Sequence, residues 1–344
     1  VEASYWLSFL QHRELNFSGT DTTMFFPFRS ETGEVIRQLL ADNDQWMLKY
    51  HLALIYRNRN RLEESRQLLA ACANEPAFAP FYAVRADLGE ERDSAAALAD
   101  LQRALRLDSG WRYYKLLTEY YIRHRDYDAA QSLAGEYYKS HPGQYIMGML
   151  YAKTLLLNKQ YETCNKLLSS LNIIPFEGAT ASRDYYRETQ LMLALSGMAQ
   201  QRYKQVLQFV EKANEWPEHL GVGKPYPEDI DDRLENWITF LCNKHLHRKN
   251  GNAILEKILT FNHARQSAAA VFFPENAAVT FWAYKSRYGE EKAQQWLQEE
   301  APKTVDDKTL HWLTGVVAGK PVPDTVVEKS VNARVIKQLM LLEH

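Results

Sequence analysis

Four short stretches carry residue types capable of chemistry. Cys242-Asn243-Lys244-His245-Leu246-His247 offers a thiol and two imidazoles, and Cys242 and His245, three apart, share a face if the stretch is helical. A fixed zinc site takes three or four such ligands, and no further one is spaced to help. The stretch therefore reads as a small buried thiol beside solvent-facing histidines. Gly221-Val222-Gly223-Lys224-Pro225 has the outline of a phosphate loop. It lacks two glycines five apart and the Lys-Ser or Lys-Thr that opens a helix, and Pro225 follows the lysine, so a structured turn is expected. Glu228-Asp229-Ile230-Asp231-Asp232 is acidic enough to attract calcium but has neither the alternating carboxylates nor the central glycine of an EF-hand loop. Asp229, Asp231 and Asp232 are expected to cap a helix N-terminus instead. The tyrosine pairs Tyr113-Tyr114, Tyr120-Tyr121 and Tyr137-Tyr138 supply aromatic faces of the kind on which sugars or bases stack. No Gly-x-Ser-x-Gly turn occurs, and adjacent carboxylates such as Glu63-Glu64 and Glu299-Glu300 point to different sides of a helix. No catalytic, cofactor-binding or metal residue is assigned, no cofactor is implied, and the chain reads as non-enzymatic.

The composition narrows the partners. With 46% hydrophobic and 24% charged residues, the 344-residue chain has an ordinary globular make-up. Forty-one Lys and Arg stand against 43 Asp and Glu, a net charge of -2 that gives no basic field for nucleic acid or anionic lipid. Cys72, Cys164 and Cys242 are too far apart for a disulfide framework or a CxxC module, which fits a reducing compartment. No apolar run reaches the 18 or so residues of a membrane span; Leu155-Leu156-Leu157 is soon broken by Asn158 and Lys159. Val1-Glu2-Ala3-Ser4-Tyr5-Trp6 has neither an initiator Met nor the order of a signal peptide, so the start is expected to be the edge of a larger protein. No Gly/Ser or Pro-rich linker interrupts the chain, and continuity is expected.

The elements that position these residues repeat. From Trp111 an apolar, Tyr-rich helix runs to a break at His124-Arg125-Asp126, a second begins at Tyr127-Asp128-Ala129-Ala130, and Pro142 follows it. Counting Trp111 as position 1 puts Tyr121 at 11, Tyr127 at 17, Ala130 at 20 and Pro142 at 32. The register returns from Tyr145, with Ala152 at 8, Tyr161 at 17, Cys164 at 20 and Leu168 at 24. It returns again from Arg187, with Ala194, Tyr203, Val206 and Ala213, after an extended loop around Asn172 to Ser182. Upstream, Trp46 starts a copy with Ala53, Tyr56, Leu62, Leu69 and Cys72 in place, and Phe78 starts a weaker one with Ala97, Leu101 and Ala104 but Arg85 at position 8. These positions resemble the tetratricopeptide repeat (TPR), in which small residues at 8, 20 and 27 let two antiparallel helices approach while larger ones fill the gaps.

The ends diverge. Asp231 to His247 and Asn252 to Phe261 form an expected sixth hairpin, and Asn276 to Tyr288, Glu290 to Glu299, Asp307 to Val317 and about Val327 to Leu342 four further helices. At the front, Glu2 to Arg13 and Glu31 to Ala41 are expected helices, separated by an irregular Asn16 to Ser30 segment whose Met24-Phe25-Phe26-Pro27-Phe28 stretch is expected to cap or dock. The expected class is thus an all-α, right-handed α-α superhelix of TPR-like solenoid type with divergent capping helices. It divides into residues 1–45 as N-terminal cap, 46–217 as five hairpins, and 218–344 as divergent hairpins and cap.

Beyond the repeat, Phe26-Pro27-Phe28-Arg29-Ser30-Glu31, Lys49-Tyr50-His51-Leu52-Ala53-Leu54-Ile55, Glu75-Pro76-Ala77-Phe78-Ala79-Pro80-Phe81-Tyr82 and Leu220-Gly221-Val222-Gly223-Lys224-Pro225 resemble the TPR region that follows a domain of unknown function in large proteins of Bacteroides-type bacteria. The resemblance covers about the first 240 residues. It implies a cytoplasmic bacterial protein in which a β-rich domain of sugar-related chemistry precedes a helical partner-binding region, and it carries no catalytic residue onto this chain.

In a TPR array, positions 2, 5, 9, 12 and 13 of the first helices point into the concave side. They select Met47, Tyr50, Leu54, Arg57 and Asn58; Tyr82; Arg112, Lys115, Glu119, Ile122 and Arg123; and Met149, Lys153 and Leu156. The basic trio Arg112, Lys115 and Arg123 would suit a segment carrying carboxylates. Glu119 stands where the chaperone-tail carboxylate clamp needs Asn, so that ligand is disfavoured. The expected function is a non-catalytic scaffold whose concave groove holds a protein segment or an adjoining domain of the same chain, without nucleic acid or membrane. The alternative is an accessory region of a carbohydrate-active enzyme that binds sugar through Tyr113, Tyr120 and Tyr138, the tyrosines left outside the internal repeat positions.

Overall fold

A computed structural model of the chain describes residues 1–11, 25–175, 180–261, 271–320 and 330–342. Among them stand eighteen α-helices, four short 3-10 turns and one isolated parallel bridge between Ile230 and Val271. The chain divides into two compact units, Val1–His141 and Pro142–His344.

In the first unit, α1 (Glu2–Gln11) and α2 (Ser30–Asp42) precede three hairpins: α3 (Trp46–Asn58) with α4 (Leu62–Ala70), α5 (Ala79–Gly89) with α6 (Ser94–Leu107), and α7 (Trp111–Arg123) with α8 (Tyr127–Ser140). Asp93 and Asp126 accept hydrogen bonds from the amides of Ala96 (2.9 Å) and Ala129 (3.1 Å), satisfying donors at the starts of α6 and α8. Pro80 sits in the first turn of α5, where its missing N–H costs nothing. The expected helix α1 ran to Arg13; the described part ends at Gln11, and residues 12 and 13, like Asn16 to Met24 of the irregular segment, lie outside the described residues.

The second unit holds α9 (Tyr145–Leu157) with α10 (Tyr161–Ser170), α11 (Ala181–Ala199) with α12 (Tyr203–Ala213), α13 (Arg233–His245) with α14 (Gly251–Leu259), α15 (Ala277–Tyr288) with α16 (Glu290–Glu299), then α17 (Asp307–Val317) and α18 (Val331–Leu342). Residues 327–329 of the last expected helix lie outside the described residues. One apolar core runs through α11 to α18, including Leu234, Trp237, Phe281, Trp312 and Ile336. The loop expected over Asn172 to Ser182 ends sooner than its composition suggested, because α11 already begins at Ala181. Its first turns are held by burial: the Ser182 hydroxyl donates to the Leu220 carbonyl at 2.8 Å, and Arg183 and Arg187 lie inside the unit.

One turn closes most hairpins. Asn60, Arg125, Lys159, Gln201 and His247 all adopt left-handed backbone with φ of 55–60°. The next amide in each case donates to the carbonyl five residues back, as in Arg61 to Tyr56 at 2.8 Å and Gln160 to Leu155 at 2.8 Å, which is the Schellman closure of a helix C-terminus. Each left-handed residue is position 15 of its repeat. His247 therefore fixes Arg233 as position 1 of a sixth hairpin in the same register.

Small residues meet where the repeat requires. The Ser65 hydroxyl (position 20) donates to the Ala53 carbonyl (position 8) at 2.8 Å, and the Cys164 thiol contacts the Ala152 carbonyl at 3.5 Å. At Gly197 an added Cβ would lie 2.8 Å from Val206. Arg85, the exception at position 8, is accommodated by a two-pronged bond to Asp100 at 2.6 and 2.7 Å. In the sixth hairpin the bulky Phe240 occupies position 8 and rests on Gly251, so the small residue has moved to the other helix and the sequence pattern fades. The all-α, TPR-like solenoid class read from the sequence holds.

Candidate functional site

A cavity of about 1360 Å³ in the first unit opens where the first helices of its three hairpins come side by side. Leu54, Arg57 and Asn58 from α3, Ala83, Asp87 and Leu88 from α5, and Leu116, Glu119 and Arg123 from α7 line it. Phe26-Pro27-Phe28 forms a further wall. Phe25 turns inward, edge-on to His51 with ring centres 5.1 Å apart, and anchors this segment. Phe26 and Phe28 remain 51% and 58% exposed at the cavity, so the stretch expected to cap or dock does the first through Phe25 and leaves two aromatic side chains open.

The rim is charged but balanced. Arg57 pairs with Asp87 (2.5 Å), Arg123 with both oxygens of Glu90 (2.6 and 2.8 Å), and Arg92 with Glu63 (2.6 Å), so carboxylates of neighbouring hairpins take up the guanidiniums. The Arg123 bond holds the Glu90 carboxyl below the usual range, and Glu90 in turn raises Arg123. Lys115 is bound within its own helix to Glu119 at 2.8 Å. Arg112 is exposed, stacks over the Trp111 ring at 4.7 Å, and is absent from the cavity lining among the described residues. The expected open basic cluster of Arg112, Lys115 and Arg123 is therefore corrected: of the three only Arg123 lines the cavity, and Lys115 and Arg123 are paired with carboxylates at i+4 and one repeat away.

Of the predicted groove residues, the structure gathers Leu54, Arg57, Asn58, Glu119 and Arg123 around one cavity. Tyr50 and Tyr82 are instead core residues, in one cluster with Phe81, Leu69 and Ala104, and the Tyr82 hydroxyl donates to the Asn74 carbonyl at 3.2 Å. Met47 and Ile122 are half-buried away from the lining. In the second unit Met149 and Lys153 are half-buried and Leu156 is buried. Sequence reasoning missed Ala83, Asp87, Leu88 and Leu116, which occupy positions 6, 10 and 11 of the same helices, and the Phe26-Pro27-Phe28 wall, which no repeat position encodes.

The remaining chemical stretches resolve into structural roles. Tyr120, expected on display, is 5% exposed with its hydroxyl donating to the Ser94 carbonyl at 2.8 Å; Tyr113 packs against the α3–α6 cluster, and Tyr138 is half-buried. Cys242 is buried while His245 stacks flat on Tyr203, ring centres 4.4 Å apart. Burial raises the thiols of Cys72, Cys164 and Cys242 to about 11, which suits packing residues. Gly221 adopts φ of 70°, and an added Cβ would lie 2.7 Å from the Ile173 carbonyl oxygen, so that glycine serves a close turn. The acidic run caps α13 in part, since Asp231 Oδ1 accepts from the Arg233 amide at 3.3 Å. Asp232 makes no side-chain cap bond and pairs with Lys257, while Asp231 is buried and grips Arg233 with both oxygens at 2.7 and 2.8 Å. Among the described residues no helix is long and apolar enough to cross a membrane.

No protein-family model matches the chain, and no curated protein matches it. Among solved structures, the chain is similar to one of Naa15/Naa10 bound to HypK-THB, at 15% identity and a TM-score of 0.47, over 99% of this chain and 50% of that one. It is also similar to the C-terminal part of a TPR repeat-containing protein from Cytophaga hutchinsonii, at 14% identity and a TM-score of 0.49, over 69% of this chain and 92% of that one. Yeast Tom70 gives 12% identity and a TM-score of 0.38, over 92% of this chain and 68% of that one. The chain thus spans about half the length of the first of these.

Proposed function

We propose that the chain is a non-catalytic interaction scaffold whose first unit receives a polypeptide segment in the α3–α5–α7 cavity. The observation that carries this reading is the pair of half-exposed aromatics, Phe26 and Phe28, standing over an apolar floor of Leu54, Leu88 and Leu116 inside a cavity of about 1360 Å³. Exposed aromatic side chains beside an apolar pocket, ringed by polar groups that exclude water, are the usual composition of a binding hot spot. Because the rim arginines are already paired, the favoured ligand is led by apolar or aromatic side chains and not by carboxylates. Its affinity is expected to depend weakly on salt.

The segment belongs either to a separate protein or to an adjoining domain of the same chain. The finer reading, a cytoplasmic bacterial protein in which this region accompanies a β-rich domain, rests on the motif resemblance alone. Burial of Tyr120 removes one of three side chains the sugar-binding alternative required, and that alternative is not retained. The test is a groove-filling variant, Ala83→Arg, beside the open-face control Arg112→Glu. Loss of the bound segment with Ala83→Arg and retention with Arg112→Glu supports the reading; retention with both overturns it.

A further inference from the structure

The second unit encloses a smaller cavity of about 50 Å³ between the start of α11, the chain entering α13, and Trp216. Its walls are unusually charged for their depth. Arg183 and Arg187, 5% and 7% exposed, and Glu235, 2% exposed, all line it. Arg187 spends Nε on Glu235 (2.6 Å) and one terminal nitrogen on the Asn332 amide oxygen (2.7 Å); its other terminal nitrogen is buried and has no partner. Arg183 donates to the Ala213 carbonyl at 2.6 Å and lies over the Trp216 ring at 4.6 Å, and its Nε is likewise buried and unpartnered. The indole N–H of Trp216 is a third unpartnered buried donor at the same cavity.

Among the described residues the compensation inside is partial. Two guanidiniums face one buried carboxylate, Glu235, whose Oε2 is itself buried without a partner, while Asp231 is committed to Arg233 and Asp184 lines the cavity from an exposed position. Desolvation, and then the neighbouring Arg187, pushes Arg183 down to about 10 although Glu235 and Asp184 draw it up, the direction expected of a cation only partly compensated. Water could satisfy three donors, and the cavity has room for about three or four water-sized groups. Water brings no negative charge, however, and a buried cation that is only partly compensated is costly. A planar carboxylate meets both demands: its two oxygens accept from guanidinium and indole donors, and its charge completes the pair.

We propose that this cavity is a binding site for a small carboxylate, held by Arg183, Arg187 and Trp216, independent of the groove in the first unit. The experiment uses the whole chain labelled with nitrogen-15 and follows its eight Trp indole resonances during titration with sodium formate, against sodium chloride at equal ionic strength. The resonance missing in Trp216→Phe should shift and saturate with formate and acetate, while the other seven stay in place. Arg183→Gln should weaken formate at least about tenfold, the loss of one hydrogen bond to a charged group. A shift that never saturates, or an equal saturating shift with chloride, overturns the proposal, as does equal binding of inorganic phosphate, which this volume should exclude. Should Arg183→Gln disturb the other seven resonances, the formate and chloride titrations of the unaltered chain still decide.

Discussion

Replacing Lys159 by Gly should stabilise the second unit, although glycine normally weakens helical proteins. Lys159 sits between α9 and α10 with φ of 58°, and its side chain is exposed. A side chain in left-handed backbone costs roughly 1–2 kcal/mol, and glycine removes that cost while adding about 0.5–1 kcal/mol of chain entropy to lose. The net gain is about 0.5–1 kcal/mol, which in a unit of this size raises Tm by about 1–4 °C. Val at the same position should lower it, because a β-branched side chain tolerates this backbone worst. The control is Lys166→Gly in the exposed face of α10, which should cost about 1 kcal/mol as an ordinary helix-interior glycine. Urea and thermal unfolding followed by circular dichroism read all three variants. If Lys159→Gly is as destabilising as Lys166→Gly, the left-handed closure shared by Asn60, Arg125, Lys159, Gln201 and His247 is not what fixes the repeat register.

Gly197→Ala should cost about 1–3 kcal/mol, because its Cβ would lie 2.8 Å from Val206, and Val206→Ala should recover part of that loss in a double-mutant cycle. His51 is fully buried, its Nδ1 engaged by the Tyr5 hydroxyl and its Nε2 without a partner, and desolvation lowers its pKa to about 3. The folded state therefore holds the ring neutral: the stability this contributes is complete above the unfolded value near 6.5 and declines as pH falls toward 3, by up to about 1.4 kcal/mol per pH unit. Chemical denaturation between pH 7 and 4 should show that slope, and His51→Phe should flatten it; an unchanged slope would mean other groups set the acid limit.

The repeat was legible because its determinants are local. Position 1 and position 17 residues such as Trp46, Leu62, Trp111, Tyr127, Tyr145, Tyr161 and Tyr203 begin helices, since an aromatic or leucine there seats each helix against its partner. The early start of α11 was not legible, because Ala181 to Tyr186 is made helical by packing against Leu220 and Ala213 and not by its own pattern. Nor could spacing reveal that Asn332 of α18 reaches Arg187, 145 residues earlier, or that Arg334 reaches Glu188. The groove was half legible. Repeat positions selected Leu54, Arg57, Asn58, Glu119 and Arg123, which line one cavity, but pairing of Arg123 with Glu90 and Arg57 with Asp87 depends on neighbouring hairpins and could not be read from the repeat register. Tyr50 and Tyr82 were assigned to the surface by position, yet each is large enough to fill the space between successive hairpins and is drawn into the core.

The most direct test of the scaffold reading is photo-crosslinking in the native cell from a reactive amino acid placed at Ala83 or Leu116, with one at the exposed Lys139 as control. The account predicts one discrete polypeptide adduct from both groove positions, unchanged by salt, lost when Phe26 and Phe28 are replaced by Ala, and absent from Lys139. Adducts from Lys139 alone, or groove adducts that survive loss of both phenylalanines, would contradict it.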